Sequence, residues 1–254
     1  MEFEVLETGS DGRTAPGGAP TLVLLPALFA GRWIWEACLE AFVSRYRVVV
    51  FDRPFATHSA DEASIDAMSA RVLEALSALR VPAAALLANS IGALVALDLA
   101  VRDSRVRSAV LSGAPATPGR EQPLTSLQGR ITDRDRRAVV ERMFFDDRFS
   151  TDPRVQAAAA LTKDRCAARF TTRALRSARS VDVEQLVATV TCPLYFIWGR
   201  EDAISPLSEW SGTFERHVPP ERVCVLPECG HSPMIEKPRE YASAVISYLA
   251  EAGF

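Results

Sequence analysis

The chain has 254 residues, 48% hydrophobic and 24% charged, and a formal net charge of −3. That length and balance suit one well-buried globular domain and exclude disordered, repetitive and low-complexity architectures. The charge gives no general reason to expect nucleic acid as a partner. The acidic start Met1-Glu2-Phe3-Glu4 is unlike a secretory signal, and no apolar run approaches the ~18 residues of a membrane span.

Short apolar runs alternate with segments of helical period, the pattern of a mostly parallel sheet covered by helices on both faces. Glu2–Thr8 alternates and reads as an edge strand, followed by a Gly/Pro/Asp-rich turn region from Gly9 to Pro20. Strands are expected at Thr21–Leu25, Tyr46–Phe51, Ala83–Leu87, Ser108–Leu111, Leu194–Trp198 and Arg222–Leu226. Their near-continuous apolar character fits strands buried on both sides. Amphipathic helices are expected at Trp33–Ser44, Ile65–Leu79, Ile91–Val101, Pro206–Arg216 and Arg239–Ala252.

The rhythm breaks from about Thr117 to Asp182, where no strand is visible and helical segments such as Asp133–Phe145 and Arg154–Arg179 take over. We read residues 117–182 as a helical lid inserted into a core formed by 1–116 and 183–254, with extra scaffold as the alternative. Between Thr117 and Ser180 there are thirteen arginines and Lys163 against eight acids, a net of +6. Such a surface would favour an anionic or carrier-bound substrate, unless its arginines are simply paired to nearby acids. Five scattered cysteines (Cys38, Cys166, Cys192, Cys224, Cys229) contain no C-x-x-C pair. Neither a zinc site nor a disulfide framework is therefore expected, and a reduced cytoplasmic setting fits.

The chemistry concentrates in three segments. In Leu86-Leu87-Ala88-Asn89-Ser90-Ile91-Gly92-Ala93 an apolar strand runs into a serine flanked by small residues, and a helix follows at once. That strand–turn–helix context presents Ser90 as a nucleophile and aims the first helical amides at the reacting centre. A helix-capping serine is the plainer alternative. Serine needs a base near neutral pH. Of the three histidines, His231 lies in a loop after a core strand, His217 at a helix end, and His58 after the third strand, where it is structural or lines the pocket. Just past Leu194–Trp198, Glu201 and Asp202 both offer an acid to orient the histidine.

These segments resemble the α/β-hydrolase superfamily: Ala88-Asn89-Ser90-Ile91-Gly92 in place of the usual G-x-S-x-G, Gly199-Arg200-Glu201-Asp202, Cys229-Gly230-His231 with Glu236-Lys237-Pro238, and the turn Phe51-Asp52-Arg53-Pro54. The resemblance implies an α/β-hydrolase fold with a catalytic triad of Ser90, Asp202 and His231, and a structural Asp52. It also implies an oxyanion hole from the Ile91 amide and, with Trp35 aligned to the family's tryptophan, the Leu28 amide in Pro26-Ala27-Leu28-Phe29-Ala30-Gly31. The expected activity is cleavage of an ester or thioester through an acyl-enzyme, without metal or organic cofactor. Asn89-Ser90, Trp198-Gly199-Arg200 and Cys229-Gly230-His231 also resemble the carbon–carbon bond hydrolases that act on ring-cleavage products. A lyase, acyltransferase or other pathway enzyme would keep the fold without hydrolysis, as hydroxynitrile lyases do, and a ligand receptor would keep it without catalysis.

Overall fold

Along each central strand, successive apolar side chains point to opposite faces, and both faces are covered. Val23 and Leu25 enter one core cluster while Leu22 and Leu24 enter the other. In the same way, Leu86 and Ala88 oppose Ala85 and Leu87. A strand buried on both sides must be apolar at every position, which is why the sequence shows runs instead of alternation.

The computed structural model describes residues 3–6, 18–115 and 132–254. Its elements run β1 (Phe3–Leu6), β2 (Thr21–Leu25), α1 (Glu36–Val43), β3 (Arg47–Phe51), α2 (Ile65–Ala78), β4 (Ala84–Asn89), α3 (Ile91–Arg102) and β5 (Val106–Ser112). The segment 132–182 carries α4 (Asp133–Met143), α5 (Pro153–Ala160) and α6 (Arg165–Arg179), and after it come α7 (Val183–Thr189), β6 (Leu194–Gly199), α8 (Ser211–His217), β7 (Val223–Leu226), α9 (Pro233–Glu236) and α10 (Pro238–Glu251). The seven strands form one sheet in the order β1-β3-β2-β4-β5-β6-β7, with β1 antiparallel at the edge and the rest parallel.

One face carries α2, α3, α7 and α8, and the other carries α1 and α10. Each expected strand and helix is present among the described residues, most ends shifted by a residue or two, while the ends of the Glu2–Thr8 strand and most of the Gly9–Pro20 turn region lie outside them. Two departures have local causes. The helices expected from Trp33 and Pro206 open with single 3-10 turns at Arg32–Trp35 and Leu207–Glu209. Arg154–Arg179 divides into α5 and α6, because the Asp164 carboxylate accepts from the amides of Cys166 and Ala167 and so starts a new helix.

The insertion segment is described only from residue 132, so its expected beginning lies outside the described residues. Its helices behave in two ways. One stripe of α6, with Ala167, Phe170, Ala174 and Ala178, belongs to the main core beside α2 and α3, and Ser177 accepts from the Ile65 amide. In contrast, Val140 and Phe144 from α4 and its C-terminal cap form a small cluster of their own with Val155 of α5. Among the described residues no helix is long and apolar enough to cross a membrane.

Candidate active site

Successive connections leave the sheet in opposite directions around β2 and β4, so the carboxyl ends of these two strands face an open crevice. Ser90 sits there, directly after β4. Its backbone has φ 56° and ψ −125°, a conformation that costs a non-glycine residue about 1–3 kcal/mol. Hydrogen bonds on both sides hold the turn: the Ser90 amide donates to Ser112 O at 2.9 Å, and the Ala93 amide to Ser90 O at 2.9 Å. Gly92 has to be glycine, since a Cβ there would lie 2.5 Å from Pro26 O. The close approach is therefore to the loop after β2, which carries Leu28.

Asp202 and His231 meet as expected. His231 Nδ1 donates to Asp202 Oδ2 at 2.8 Å, and both side chains are almost fully buried. With its proton on Nδ1, the neutral imidazole leaves Nε2 as an acceptor. Asp202 is itself oriented by the amides of Ile204 and Ser205, which donate to Oδ1 at 2.9 and 2.8 Å. Ser90, His231 and Leu28 line one cavity of about 550 Å³. No hydrogen bond joins the Ser90 hydroxyl to His231 in this structure, a contact that in such sites tightens when substrate seats. Ile91 opens α3 beside Ser90, and neither its amide nor that of Leu28 donates to a protein acceptor among the described residues.

The other candidates fall elsewhere. Glu201 braces the histidine loop from outside, its carboxylate accepting from the Cys229 amide at 3.0 Å. His217 ends α8 against Glu184, and His58 follows the 3-10 turn Phe55–Thr57 and does not line the cavity. Asp52 acts through its backbone: its carbonyl accepts from the Arg32 amide, and a Cβ on Gly31 would lie 2.1 Å from that oxygen. Among the described residues no cluster of three or more metal-ligating side chains exists.

Sequence reasoning missed the groups that hold the histidine. Asn89 Nδ2 donates to His231 O at 3.2 Å and Ser112 O at 3.3 Å, tying the serine turn to the histidine loop. Gly113, at φ 55°, lies flat against the imidazole: a Cβ there would be 2.8 Å from both Cε1 and Nδ1. Ala114 O accepts from Ser205 Oγ and from Trp210 Nε1, which clamps the acid loop to the end of β5. Glu236 buries its carboxylate between two segments, accepting from Gly230 N at 2.7 Å, Phe145 N at 2.8 Å and Asp146 N at 3.2 Å. The His231 amide donates to Met143 O at 2.8 Å across the same junction. Only Asn89 and Glu236 carried a sequence signal, their places in the serine and histidine motifs.

Comparison with known proteins identifies the family. A model of the alpha/beta hydrolase family matches residues 22–244. The chain is 25% identical over 248 residues to a pimeloyl-[acyl-carrier protein] methyl ester esterase of Nitrosomonas europaea, covering 89% of this chain and 94% of that protein. It is 23% identical over 252 residues to a 3-oxoadipate enol-lactonase of Acinetobacter baylyi, covering 93% of each. Among solved structures, a meta-cleavage product hydrolase from Pseudomonas fluorescens superposes with a TM-score of 0.78 at 20% identity, covering 99% of this chain and 94% of that one. A family model spanning most of the sequence, on a sheet that brings an acid, a histidine and a strained serine to one crevice, identifies the chain as a member of the alpha/beta hydrolase family and a hydrolase enzyme.

Proposed function

We propose that the chain cleaves a carboxylic ester or thioester through an acyl-enzyme on Ser90. The observation that carries this reading is the buried Asp202–His231 hydrogen bond, in a cavity that also presents the Ser90 turn. His231 Nε2 takes the hydroxyl proton as Ser90 Oγ bonds to the carbonyl carbon. The oxyanion rests on the Leu28 and Ile91 amides, each such donor contributing about 3 kcal/mol. Collapse breaks the bond to the leaving group, which carries off the proton from His231. Water, deprotonated in turn by His231, then attacks the acyl carbon; the bond to Ser90 Oγ breaks, Oγ takes the proton back from His231, and the acid is released. Asp202 keeps the imidazole in the required tautomer throughout, and no cofactor enters any step.

The insertion serves as the lid of this site. Support comes from the separate α4–α5 cluster, from Met143, Val140 and Arg136 of α4 on the cavity wall, and from α6, whose remaining face closes the same wall. Relatives that are an esterase and an enol-lactonase favour acyl transfer to water over other chemistry on the fold.

The test combines p-nitrophenyl ester turnover with covalent labelling by a fluorophosphonate. Label on Ser90, and loss of turnover by about 10⁴-fold or more in Ser90→Ala, is the expected result. A folded protein that turns over esters with Ser90 unlabelled would assign the nucleophile elsewhere.

A further inference from the structure

The charges that line the cavity all have one sign. Its wall is largely aliphatic and aromatic, and the charged side chains that reach it are Arg136 of α4 with Arg176 and Arg179 of α6; no Asp or Glu lines it among the described residues. Elsewhere in this segment arginines pair locally, Arg148 with Asp146, Arg154 with Asp152 and Glu36, and Arg173 with Asp61. Local pairing therefore takes up several arginines on the outer surface of the segment, and on the cavity face it holds Arg136 through Asp133. Arg136 is held by Asp133 at 3.0 Å and Thr162 Oγ1 at 2.6 Å, which aims a guanidinium with donors to spare. Arg176 makes no hydrogen bond or ion pair among the described residues, and it sits one turn beyond Thr172 on the stripe of α6 that faces the cavity.

The helix α4 supplies a ruler. Met143 marks the reacting end, since its carbonyl accepts from the His231 amide. Arg136 lies seven residues earlier on the same wall, about 10 Å along the helix axis, with Val139 and Val140 between.

We propose that Arg176, seconded by Arg136, forms an anion subsite for a carboxylate carried on the substrate, separated from the scissile ester by an apolar chain; the ~10 Å from Arg136 to Met143 along α4 corresponds to roughly five to eight carbons. Carboxylate is the anion that a guanidinium fork binds through two parallel hydrogen bonds, and Arg176 has no acid partner among the described residues to compete for it. This inference rests on the reading of Ser90 as the ester-cleaving group.

Binding is read separately from chemistry. In the Ser90→Ala protein, calorimetry compares monomethyl suberate with methyl octanoate, and 6-acetoxyhexanoate with hexyl acetate, so that the carboxylate lies on the acyl side in one pair and on the alcohol side in the other. The expected result is about tenfold tighter binding of the anionic member in at least one pair. That advantage falls below twofold when Arg176→Gln is added, and it shrinks at high salt, as a partly exposed charge contact should. Equal binding within both pairs, or an advantage that survives Arg176→Gln, overturns the subsite. The same esters are then given to protein with Ser90 intact. Tighter anion binding without any turnover would refute the hydrolytic reading while leaving the subsite standing, and turnover without charge preference would do the reverse.

Discussion

Replacing Glu236 tests the junction between the histidine loop and the insertion. Three backbone amides donate to this one buried carboxylate, two from Phe145 and Asp146 and one from Gly230, next to His231. Glu236→Ala strands all three donors. An unsatisfied buried donor costs about 1–3 kcal/mol, and part of that returns as the penalty of burying the carboxylate disappears, so a net loss of about 3–5 kcal/mol is expected. Glu236→Gln keeps one oxygen but turns an NH₂ group toward a donor, for about 2–3 kcal/mol. At about 2–4 °C per kcal/mol for a chain of this size, Glu236→Gln should lower Tm by roughly 5–10 °C. Because the His231 amide is anchored to Met143 O at the same place, kcat should fall more than KM rises. Urea unfolding, a thermal melt and ester kinetics on both variants supply the numbers. A Glu236→Gln protein within about 0.5 kcal/mol of the parent would refute the account of this carboxylate as the fastening. Titration adds a sign. Burial raises the Glu236 carboxyl above the usual glutamate value, outweighing the three amides that lower it. Its proton is therefore bound more tightly in the folded chain than in the unfolded one. The contribution of this group is full below the unfolded pKa and is lost as pH rises through the folded one. The stability difference between parent and Glu236→Gln should accordingly shrink as pH rises across that window, and a difference that grows would contradict the assignment.

Two further outcomes test neighbouring parts of the structure. Gly113→Ala places a methyl 2.8 Å from the imidazole at a backbone φ of 55°. It should cost about 1–2 kcal/mol of stability and, by displacing His231, about 10–100-fold in kcat; a kcat within twofold of the parent would show that the glycine does not set the ring's position. Brief alkylation of the native protein at pH 8, read by mass spectrometry, should modify exposed Cys166 and spare Cys38, whose thiol burial pushes up to about 12, until the chain is unfolded. Native modification of Cys38 would show that its surroundings open far more readily than the fold implies.

The amino-acid sequence by itself determined the layered sheet and the order of its strands along the chain, and it marked Ser90, His231 and the neighbouring acids Glu201 and Asp202 as candidates. Those features are written in local signals: apolar runs of strand length, small residues around Ser90, and loops that begin where strands end. It also distinguished His231 from His58 and His217 by the element each one follows. What only the tertiary structure decided are contacts between residues far apart in sequence. Asn89 reaches the His231 carbonyl, Gly113 packs on its ring, and Glu236 fastens Gly230 to Phe145 and Asp146. Asn89 and Glu236 stand in recognisable motifs, but no periodicity or spacing announces what they contact, because each contact depends on where the carboxyl ends of separate strands meet. The cavity's charge is of the same kind. The sequence showed an excess of arginine in the insertion, but which guanidinium groups are paired outside and which face the cavity follows from how α4 and α6 pack, and periodicity does not encode that packing.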